Sequence, residues 1–296
     1  MKKILLIGAS GMAGHVIFTY LKEKGVYEIK CTRNTTKING DCIALNVHDI
    51  DRLEDILTSF FPDIVINCTG ILIKGTLNSS SEAIFVNGYF PHLLRDLCLK
   101  NKAKLIHIST DCVFSGKKGG YVESDSKDAL DLYGQSKGIG EIIDNQNLTV
   151  RTSIIGPELK NDGEGLFDWM MGQKGLIKGY TKAFWSGVTT YELAKFIYYL
   201  IENNNITGLI HLTNNEKISK YDLLNNLKDI FDLKNNNLQI DPYDGYNVDK
   251  SFINTNDKIE YVVPTYQQML QELRSFMISQ KENYRNINKY SYIYKD

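Results

Sequence analysis

Apolar and polar positions alternate along this chain with two distinct periods. Short runs that are almost continuous in Val, Ile and Leu occur at Lys3–Ile7, Ile64–Asn67, Leu105–Ile108, Thr149–Ile155 and Leu209–Leu212. Runs of this length and content read as strands covered on both faces. Glu28–Cys31 and Cys42–Leu45 are weaker strand candidates. Between the runs, Gly14–Lys24, Ile50–Phe60, Ser81–Asn101, Tyr133–Asn145 and Thr190–Glu202 carry helical patterns. Alternation of this kind predicts right-handed βαβ units and a parallel sheet.

The regularity loosens after Gly156. Residues 158–179 are rich in Gly and hold Phe167, Trp169, Met170 and Met171. Helices are predicted over Ser219–Phe231 and Thr265–Phe276, with the Asn-rich stretch Leu233–Lys250 between them. The predicted class is therefore α/β. A Rossmann-like doubly wound parallel sheet is expected over residues 1–156, with 189–212 returning to it. A smaller C-terminal α+β domain is expected over 157–278. Residues 279–296 are polar, with four tyrosines and no helical stripe, and read as a flexible tail.

Composition narrows the field without naming a function. The chain has 296 residues, 43% of them apolar and 23% charged, which suits one large or two modest globular domains with a sizeable core. Basic and acidic residues number 34 and 35, so no charge excess points to nucleic acid. The apolar stretch after Lys2 and Lys3 stops at Gly8, too short for a signal-peptide core, and no run approaches the ~18 apolar residues of a membrane span. Neither a nucleic acid nor a membrane is an expected partner. The five cysteines (31, 42, 68, 98 and 112) are odd in number and form no C-x-x-C pair. They read as buried thiols in a reducing cytoplasm, not as a disulfide framework.

The strongest local signal is the turn from Gly8 to Gly14, with Ser10, Gly11 and Met12 between them. It follows a buried strand directly and opens a helix, the context a dinucleotide fingerprint needs. One glycine makes the tight turn, another lets backbone approach a pyrophosphate, and the last packs helix on strand. The helix N-terminus offers unpaired N–H groups to phosphate. The spacing is G-x-x-G-x-x-G, and outside this context it could be a plain tight turn. NAD sites place an acid about 20 residues past the fingerprint. Here the second strand ends in Lys30, Cys31, Thr32, Arg33 and Asn34, with no acid. Arg33 suits a 2′-phosphate, so NADPH is expected over NADH. The alternative is an exposed loop arginine.

Tyr133 and Lys137 stand four residues apart, on one face of a helix. A free phenol, with a pKa near ~10, needs help to exchange protons at neutral pH. A neighbouring ammonium favours the phenolate, so the pair can act as a general acid or base. Such a pair alone is weak evidence. It gains meaning from the strand that ends in Ser109 and Thr110, because strand C-termini of open α/β sheets face the ligand crevice. A hydroxyl there can hydrogen-bond a substrate oxygen beside the tyrosine, or it can simply cap the strand end.

Taken together, the chain resembles an extended short-chain dehydrogenase/reductase, and more closely the dTDP-4-dehydrorhamnose reductase family. The residues that carry this are Gly8–Gly14, Pro62–Gly70, Val86–Asn87, Ser109–Phe114, Tyr133–Lys137 and Arg151–Ser153, then Gly187–Thr190, Gly208–Leu212 and Ser251–Thr255. They span about residues 3–275. The resemblance implies reduction by NADPH of the C4 ketone of a nucleotide-linked 6-deoxy-4-keto sugar. It implies that Tyr133 protonates the developing alkoxide and that Lys137 holds the nicotinamide ribose and tunes Tyr133. Thr110 would hydrogen-bond the carbonyl oxygen. Cys68, Thr69 and Gly70 match the segment bordering the cofactor. Asn46 and Val47 match the segment beside the adenine, where many relatives have Asp. A homodimer is also implied, and the 157–278 region becomes the substrate domain.

Two departures bear on the substrate. Related 4,6-dehydratases carry Thr-Asp-Glu, whereas Thr110 and Asp111 are followed here by Cys112, so the base for elimination is missing. The rhamnose enzymes usually have Tyr at that place. They also commonly show Arg-Pro-x-x-Ser where this chain has Val248, Asp249, Lys250 and Ser251. The variant is similar to surface-polysaccharide reductases, some of which act on UDP-linked 2-acetamido-2,6-dideoxy-4-hexuloses.

Other residues carry open readings. Asn87 either caps the following helix or helps organise the site through water. Asp111, Cys112, Trp185 and Lys250 are candidate substrate contacts, although Lys250 reads equally as a solvated loop lysine. Trp169 reads as core packing more than Trp185 does. The five histidines have no metal-ligand spacing, so no metal is expected, and His107 and His211 read as satisfied core residues. Two other functions fit the fold. A non-catalytic NADP-binding regulatory subunit needs none of the proton chemistry of Thr110, Tyr133 and Lys137. A nucleotide-sugar epimerase recycles tightly held NAD, which Arg33 disfavours.

Overall fold

The computed structural model describes residues 1–36, 38, 40–233 and 237–294. The first part of the chain alternates strand and helix: β1 (Lys2–Ile7), α1 (Met12–Lys24), β2 (Tyr27–Arg33), β3 (Cys42–Ala44), α2 (Ile50–Phe60), β4 (Ile64–Asn67), short α3 (Ile73–Asn78) and α4 (Ser80–Ala83), α5 (Phe90–Lys100), β5 (Lys104–Thr110), α6 (Leu132–Ile139), β6 (Leu148–Thr152) and β7 (Ile154–Ile155). Then come α7 (Leu166–Met171), β8 (Leu176–Trp185), β9 (Val188–Thr189), α8 (Thr190–Glu202), β10 (Gly208–His211), β11 (Ile218–Ser219), α9 (Lys220–Ile230), β12 (Gln239–Asp249), α10 (Tyr266–Ser279) and α11 (Lys281–Tyr284).

Seven strands form one parallel sheet in the order β10-β6-β5-β4-β1-β2-β3. The period of two along each strand feeds two cores. Ile4, Leu6, Ile64, Ile66, Ile106 and Ile108 point to the side of α1 and α8, whereas Leu5, Ile7, Val65 and Leu105 point to the side of α2 and α5. The chain winds outward from β1 through β2 to β3, then restarts at β4 on the other side of β1. That reversal opens a crevice at the C-terminal ends of β1 and β4, where ligands of open α/β sheets bind. Strand β10 lies beside β6, pairing Gly208 with Leu148 and His211 with Arg151. No helix among the described residues is long and apolar enough to cross a membrane.

Short polar residues start the helices. Asp49, Asp131, Thr189, Ser219 and Thr265 each accept a backbone N–H from the first turn of α2, α6, α8, α9 and α10. The stretch Ser81–Asn101 is not one regular helix. It widens into a π-turn over Ile84–Tyr89, where the Phe90 N–H reaches the Phe85 carbonyl, before α5 resumes. Pro91 explains this: it lacks an N–H and its ring crowds the carbonyl four residues back. Helix α6 stops at Ile139, short of Asn145, with Gly140 as its C-cap at a place where no Cβ fits against the Asn87 carbonyl. The predicted run Thr149–Ile155 breaks at Ser153 into β6 and β7.

The second half forms a smaller sheet in the order β11-β8-β12, in which β8 and β12 run parallel. Strand β12 occupies most of the Asn-rich stretch that reads as a separator; Lys234, Asn235 and Asn236 of that stretch lie outside the described residues. Its mainly exposed face, with Asp, Pro, Gly and Asn, hides a strand from any hydrophobic count.

Two expectations are corrected. Residues 279–294 are not a frayed tail: α11 and a 3-10 segment (Asn288–Tyr294) pack down, with Tyr284 and Tyr290 fully buried and Ile287 and Ile293 nearly so. The apolar groups recur too sparsely to form a stripe, yet each finds the main core. Lys295 and Asp296 lie outside the described residues. The thiols are also not all free. Cys31 and Cys42 are register partners on β2 and β3, their Cα atoms 4.8 Å apart, and are joined as a disulfide. A separation of 11 in sequence does not reveal that strand pairing. Cys68, Cys98 and Cys112 are free thiols.

Candidate active site

The glycine turn lies at the switch between β1 and β4. Gly8 has φ +84°, a left-handed conformation that glycine adopts freely, and a Cβ there would press on the Thr69 nitrogen at 3.0 Å. Gly14 has no room for a side chain against the Gly8 carbonyl. The Ala9 N–H donates to the Thr32 carbonyl at 2.8 Å, and the Cys68 N–H to the Ile7 carbonyl at 2.9 Å. The turn is thus seated between the ends of β2 and β4. Asn67 fixes the β4 side: its Oδ1 accepts the Thr69 N–H (3.1 Å) and hydroxyl (2.7 Å), and its amide contacts His107 Nδ1 at 3.1 Å. His107 is buried, but its Nε2 has no partner among the described residues, so it is not the fully satisfied core histidine expected.

These residues fit a dinucleotide. Helix α1 begins at Met12 with no side-chain cap and no acid in its first turn, which leaves its first N–H groups and positive end for phosphate. Ser10, Gly11 and Met12 stand at that end. Arg33 ends β2 beside the turn, part-exposed, its guanidinium donating to the neighbouring Asn34 carbonyl at 3.3 Å. Asn46 follows β3, exposed, and its Oδ1 is already used by the His48 N–H at 3.1 Å. Val47 is half-buried against the α2 side of the core.

Thr110 and Tyr133 come together where β5 ends. The Thr110 hydroxyl donates to Asp111 Oδ1 at 3.1 Å and accepts the Cys112 N–H at 3.2 Å, and it stands near enough to the Tyr133 phenol to act on its pKa. Ser109, one residue earlier, faces away and donates to buried Glu141 at 2.8 Å. Burial pushes the Tyr133 phenol up, with Cys112 and Asp111 adding to the effect and Thr110 opposing it. Lys137 is buried on α6 and donates to the Ile108 carbonyl at 2.7 Å, and burial lowers its ammonium to about 8. Burial is the dominant influence on Tyr133 and keeps its phenol protonated at neutral pH. A protonated phenol is the form a general acid needs. Burial also pushes the Cys112 and Cys68 thiols up to about 12, so neither is a thiolate near neutrality.

Next to Thr110 opens a cavity of about 490 Å³, lined by Asp111, Cys112, Trp185 and Lys250 among the sequence candidates. Sequence reasoning missed Lys178, Tyr180, Lys220 and Tyr246, which line it from β8, α9 and β12. No motif marks them; the parallel pairing of β8 with β12 and the packing of α9 on β8 gather them. Trp169 also lines it and is 41% exposed, not core packing. Trp185 is held by its indole N–H on Ser153 Oγ at 2.8 Å. Burial lowers the Lys220 ammonium, while Asp111 and Cys112 oppose this. Burial also depresses Lys250, but Cys112, Asp111 and Asp131 together outweigh it and hold that ammonium up. The cavity therefore offers aromatic faces and ammonium groups around one carboxylate. Asn87 is not part of it. It is fully buried, clamping Ile71 by N–H and C=O at 2.8 and 2.9 Å and reaching Ser136 at 3.2 Å.

A buried ionic network braces this floor. Arg151 on β6 makes two bonds of 2.8 Å to Glu141 and a third, of 2.9 Å, to His211 Nε2. His211 Nδ1 then donates to the Ile253 carbonyl at 2.9 Å, tying the 250–255 segment to the sheet.

A Rossmann-like sheet with a glycine turn at its switch point and a Thr-Tyr-Lys set at the end of β5 defines an extended short-chain dehydrogenase/reductase. The model of the RmlD substrate binding domain family matches residues 1–248, and the chain belongs to that family, the family of dTDP-4-dehydrorhamnose reductases. A probable low-salt glycan biosynthesis reductase of Haloferax volcanii is 32% identical over 138 residues, covering 45% of this chain and 46% of that protein. A dTDP-4-dehydrorhamnose reductase of Aggregatibacter actinomycetemcomitans is 30% identical over 168 residues, covering 55% and 54%. The chain thus spans about half the length of these two curated relatives. The methionine adenosyltransferase 2 subunit beta of Xenopus laevis is 24% identical over 253 residues, covering 80% and 75%. Among solved structures, a hypothetical dTDP-4-dehydrorhamnose reductase of Sulfolobus tokodaii is 27% identical with TM-score 0.72, covering 85% and 92%. A dTDP-4-dehydrorhamnose reductase of Bacillus anthracis in complex with NADP shares the fold at 20% identity and TM-score 0.78, covering 92% and 98%.

Proposed function

We propose that this chain is an NADPH-dependent reductase of the C4 ketone of a nucleotide-linked 6-deoxy-4-keto sugar, working in the supply of surface-polysaccharide precursors. The sugar is dTDP-4-dehydrorhamnose-like or a UDP-2-acetamido-2,6-dideoxy-4-hexulose. The observation that carries this is that Thr110 and protonated Tyr133 lie near each other at the end of β5, where the next two residues, Asp111 and Cys112, line an aromatic, lysine-bearing cavity. The relatives that are reductases, and the one solved with NADP, support it.

When bound, NADPH supplies the hydride. Residues 1–156 and 189–212 hold it, with Gly8, Ser10, Gly11, Met12 and Gly14 at the pyrophosphate, Arg33 at the 2′-phosphate, Asn46 and Val47 beside the adenine, and Cys68–Gly70 along the inner edge. Lys137 serves the ribose hydroxyls. Residues 157–278 cover the sugar nucleotide. Trp169, Tyr180 and Tyr246 offer rings for the base, and Lys178, Lys220 and Lys250 offer charge for the diphosphate. Thr110 donates to the C4 oxygen, and Tyr133 gives it the proton that completes the alcohol. Cys112, a protonated thiol, borders the sugar without taking part.

The regulatory reading has one specific support, the likeness to methionine adenosyltransferase beta subunits over 80% of the chain. The test incubates the purified chain with NADPH and a panel of dTDP-, UDP- and GDP-linked 4-keto-6-deoxy sugars. The proposal expects NADPH oxidation with at least one of them. Tight NADPH binding with no oxidation by any would favour the regulator.

A further inference from the structure

The C-terminal segment reaches the same glycine turn by two routes, one hydrogen-bonded throughout and one closed by side-chain packing. The first runs through His15, one residue past Gly14. His15 Nδ1 lies 2.8 Å from the Gly11 carbonyl, which can only accept, so Nδ1 carries the proton. Its Nε2 is then an acceptor, and the Tyr284 hydroxyl donates to it at 3.0 Å. Gly11 in turn donates its N–H to the Gly8 carbonyl at 3.1 Å. Tyr284 therefore reaches the phosphate end of α1 through a single imidazole.

The second chain runs through the loop before α7. The Tyr290 hydroxyl donates to Asp168 at 2.6 Å and accepts the Glu158 N–H at 3.0 Å. Lys289 pairs with the same Asp168. The Glu158 carboxylate accepts the Gly165 N–H at 2.7 Å. Gly165 packs so closely on Met12 that a Cβ would overlap the Met12 methyl group. Met12 is the first residue of α1. The two tyrosine rings meet edge to face, 6.1 Å apart, so the two chains share one buried anchor. This segment lies beyond the residues that the family model matches.

We propose that residues 281–294 form a strap that sets the shape of the dinucleotide-binding turn, with Tyr284 and Tyr290 as positioning residues. This rests on the reading that Gly8–Gly14 holds NADPH. The strap touches no reacting group. It fixes the Gly11 carbonyl from one side and the Met12 side chain from the other, so the N–H groups at the start of α1 stay aimed at the pyrophosphate. Loss of either hydroxyl lets the turn relax, and part of the binding free energy then goes into re-forming it.

The test uses the full chain with Tyr284→Phe, Tyr290→Phe and, as control, Tyr261→Phe. Tyr261 also loses a hydroxyl–carboxylate bond, of 2.6 Å to Glu192, but among the described residues it makes no hydrogen bond to the turn. Two quantities are read: the Kd for NADPH by fluorescence titration, and amide hydrogen exchange of Gly8–His15 in nucleotide-free protein. A lost buried hydrogen bond is expected to weaken NADPH binding about fivefold to tenfold in the two strap variants. Exchange of the turn amides should rise in both, with kcat at saturating NADPH unchanged and the control at parent values. Turn amides and NADPH affinity unchanged in both strap variants would overturn the proposal, as would an equal effect of Tyr261→Phe. Because exchange is read without nucleotide, a parent that binds no NADPH refutes the cofactor reading separately from the strap.

Discussion

His15 sits at the meeting point of the cofactor turn and the C-terminal segment, and its titration makes that packing measurable. Burial pushes its imidazole down from 6.5 to about 4, with the Gly11 carbonyl opposing the shift only in part. The sign follows from proton binding. Between pH 6.5 and 4 the unfolded chain binds a proton at His15 that the folded chain refuses, so stability falls as pH falls through that window. Above pH 6.5 both states are neutral and nothing changes. A tenfold change in proton affinity is worth ~1.4 kcal/mol, so His15 accounts for about 3 kcal/mol of lost stability by pH 4. Carboxylates and His211, whose ring is also held down to about 4 by burial, contribute in the same range, so the share of His15 must be isolated. His15→Asn keeps a donor and an acceptor but does not titrate. Urea unfolding of parent and variant at half-unit steps from pH 7.5 to 4 gives two stability curves. The variant should be the less stable at pH 7, and the gap should close by about 3 kcal/mol on acidification. Parallel curves, with a constant gap, would refute a buried neutral His15.

Three further outcomes follow from the site. Arg33→Ala should raise the KM for NADPH about tenfold or more and leave NADH within about twofold, since only NADPH carries the 2′-phosphate; equal effects on both would remove the argument. Tyr133→Phe should cut turnover ~10²-fold to 10⁴-fold while NADPH binding stays nearly intact, and retained turnover would refute the assigned acid. Glu141→Gln should cost about 3–5 kcal/mol in chemical denaturation, because it leaves the fully buried Arg151 guanidinium without a countercharge and sets an amide NH2 against one of the two N–H groups that now donate at 2.8 Å.

The parallel sheet was legible because its strands are buried on both faces and its helices start with short polar caps. Ile64–Asn67 and Thr190–Glu202 have the same bounds in sequence pattern and structure. The glycine turn was legible for a steric reason, since Gly8 has a left-handed backbone and Gly14 stands where no Cβ fits. Strand β12 was not, because an exposed strand of Asp, Pro, Gly and Asn carries no hydrophobic period. Lys178 and Tyr246 converge only after β8 and β12 pair, with Lys220 joining them from α9, and no local spacing encodes that. Tyr284 and Tyr290 hid for the opposite reason. They are buried one at a time in a polar stretch, through hydroxyls that bond His15 and Asp168 far away in sequence. The Lys137 side chain lies on the expected helix, and its bond to the Ile108 carbonyl was not legible because that carbonyl belongs to a separate strand, β5.

Net reduction at C4 of the sugar is the central claim, and isotope transfer tests it most directly. The chain is incubated with a nucleotide-linked 4-keto-6-deoxy sugar and NADPH deuterated on the transferring face of C4, and the product is read by mass spectrometry and proton NMR. The account predicts one deuterium, located at C4 of the sugar, in step with NADPH oxidised. Unlabelled sugar with no NADPH consumed, across the dTDP-, UDP- and GDP-linked panel, would contradict it.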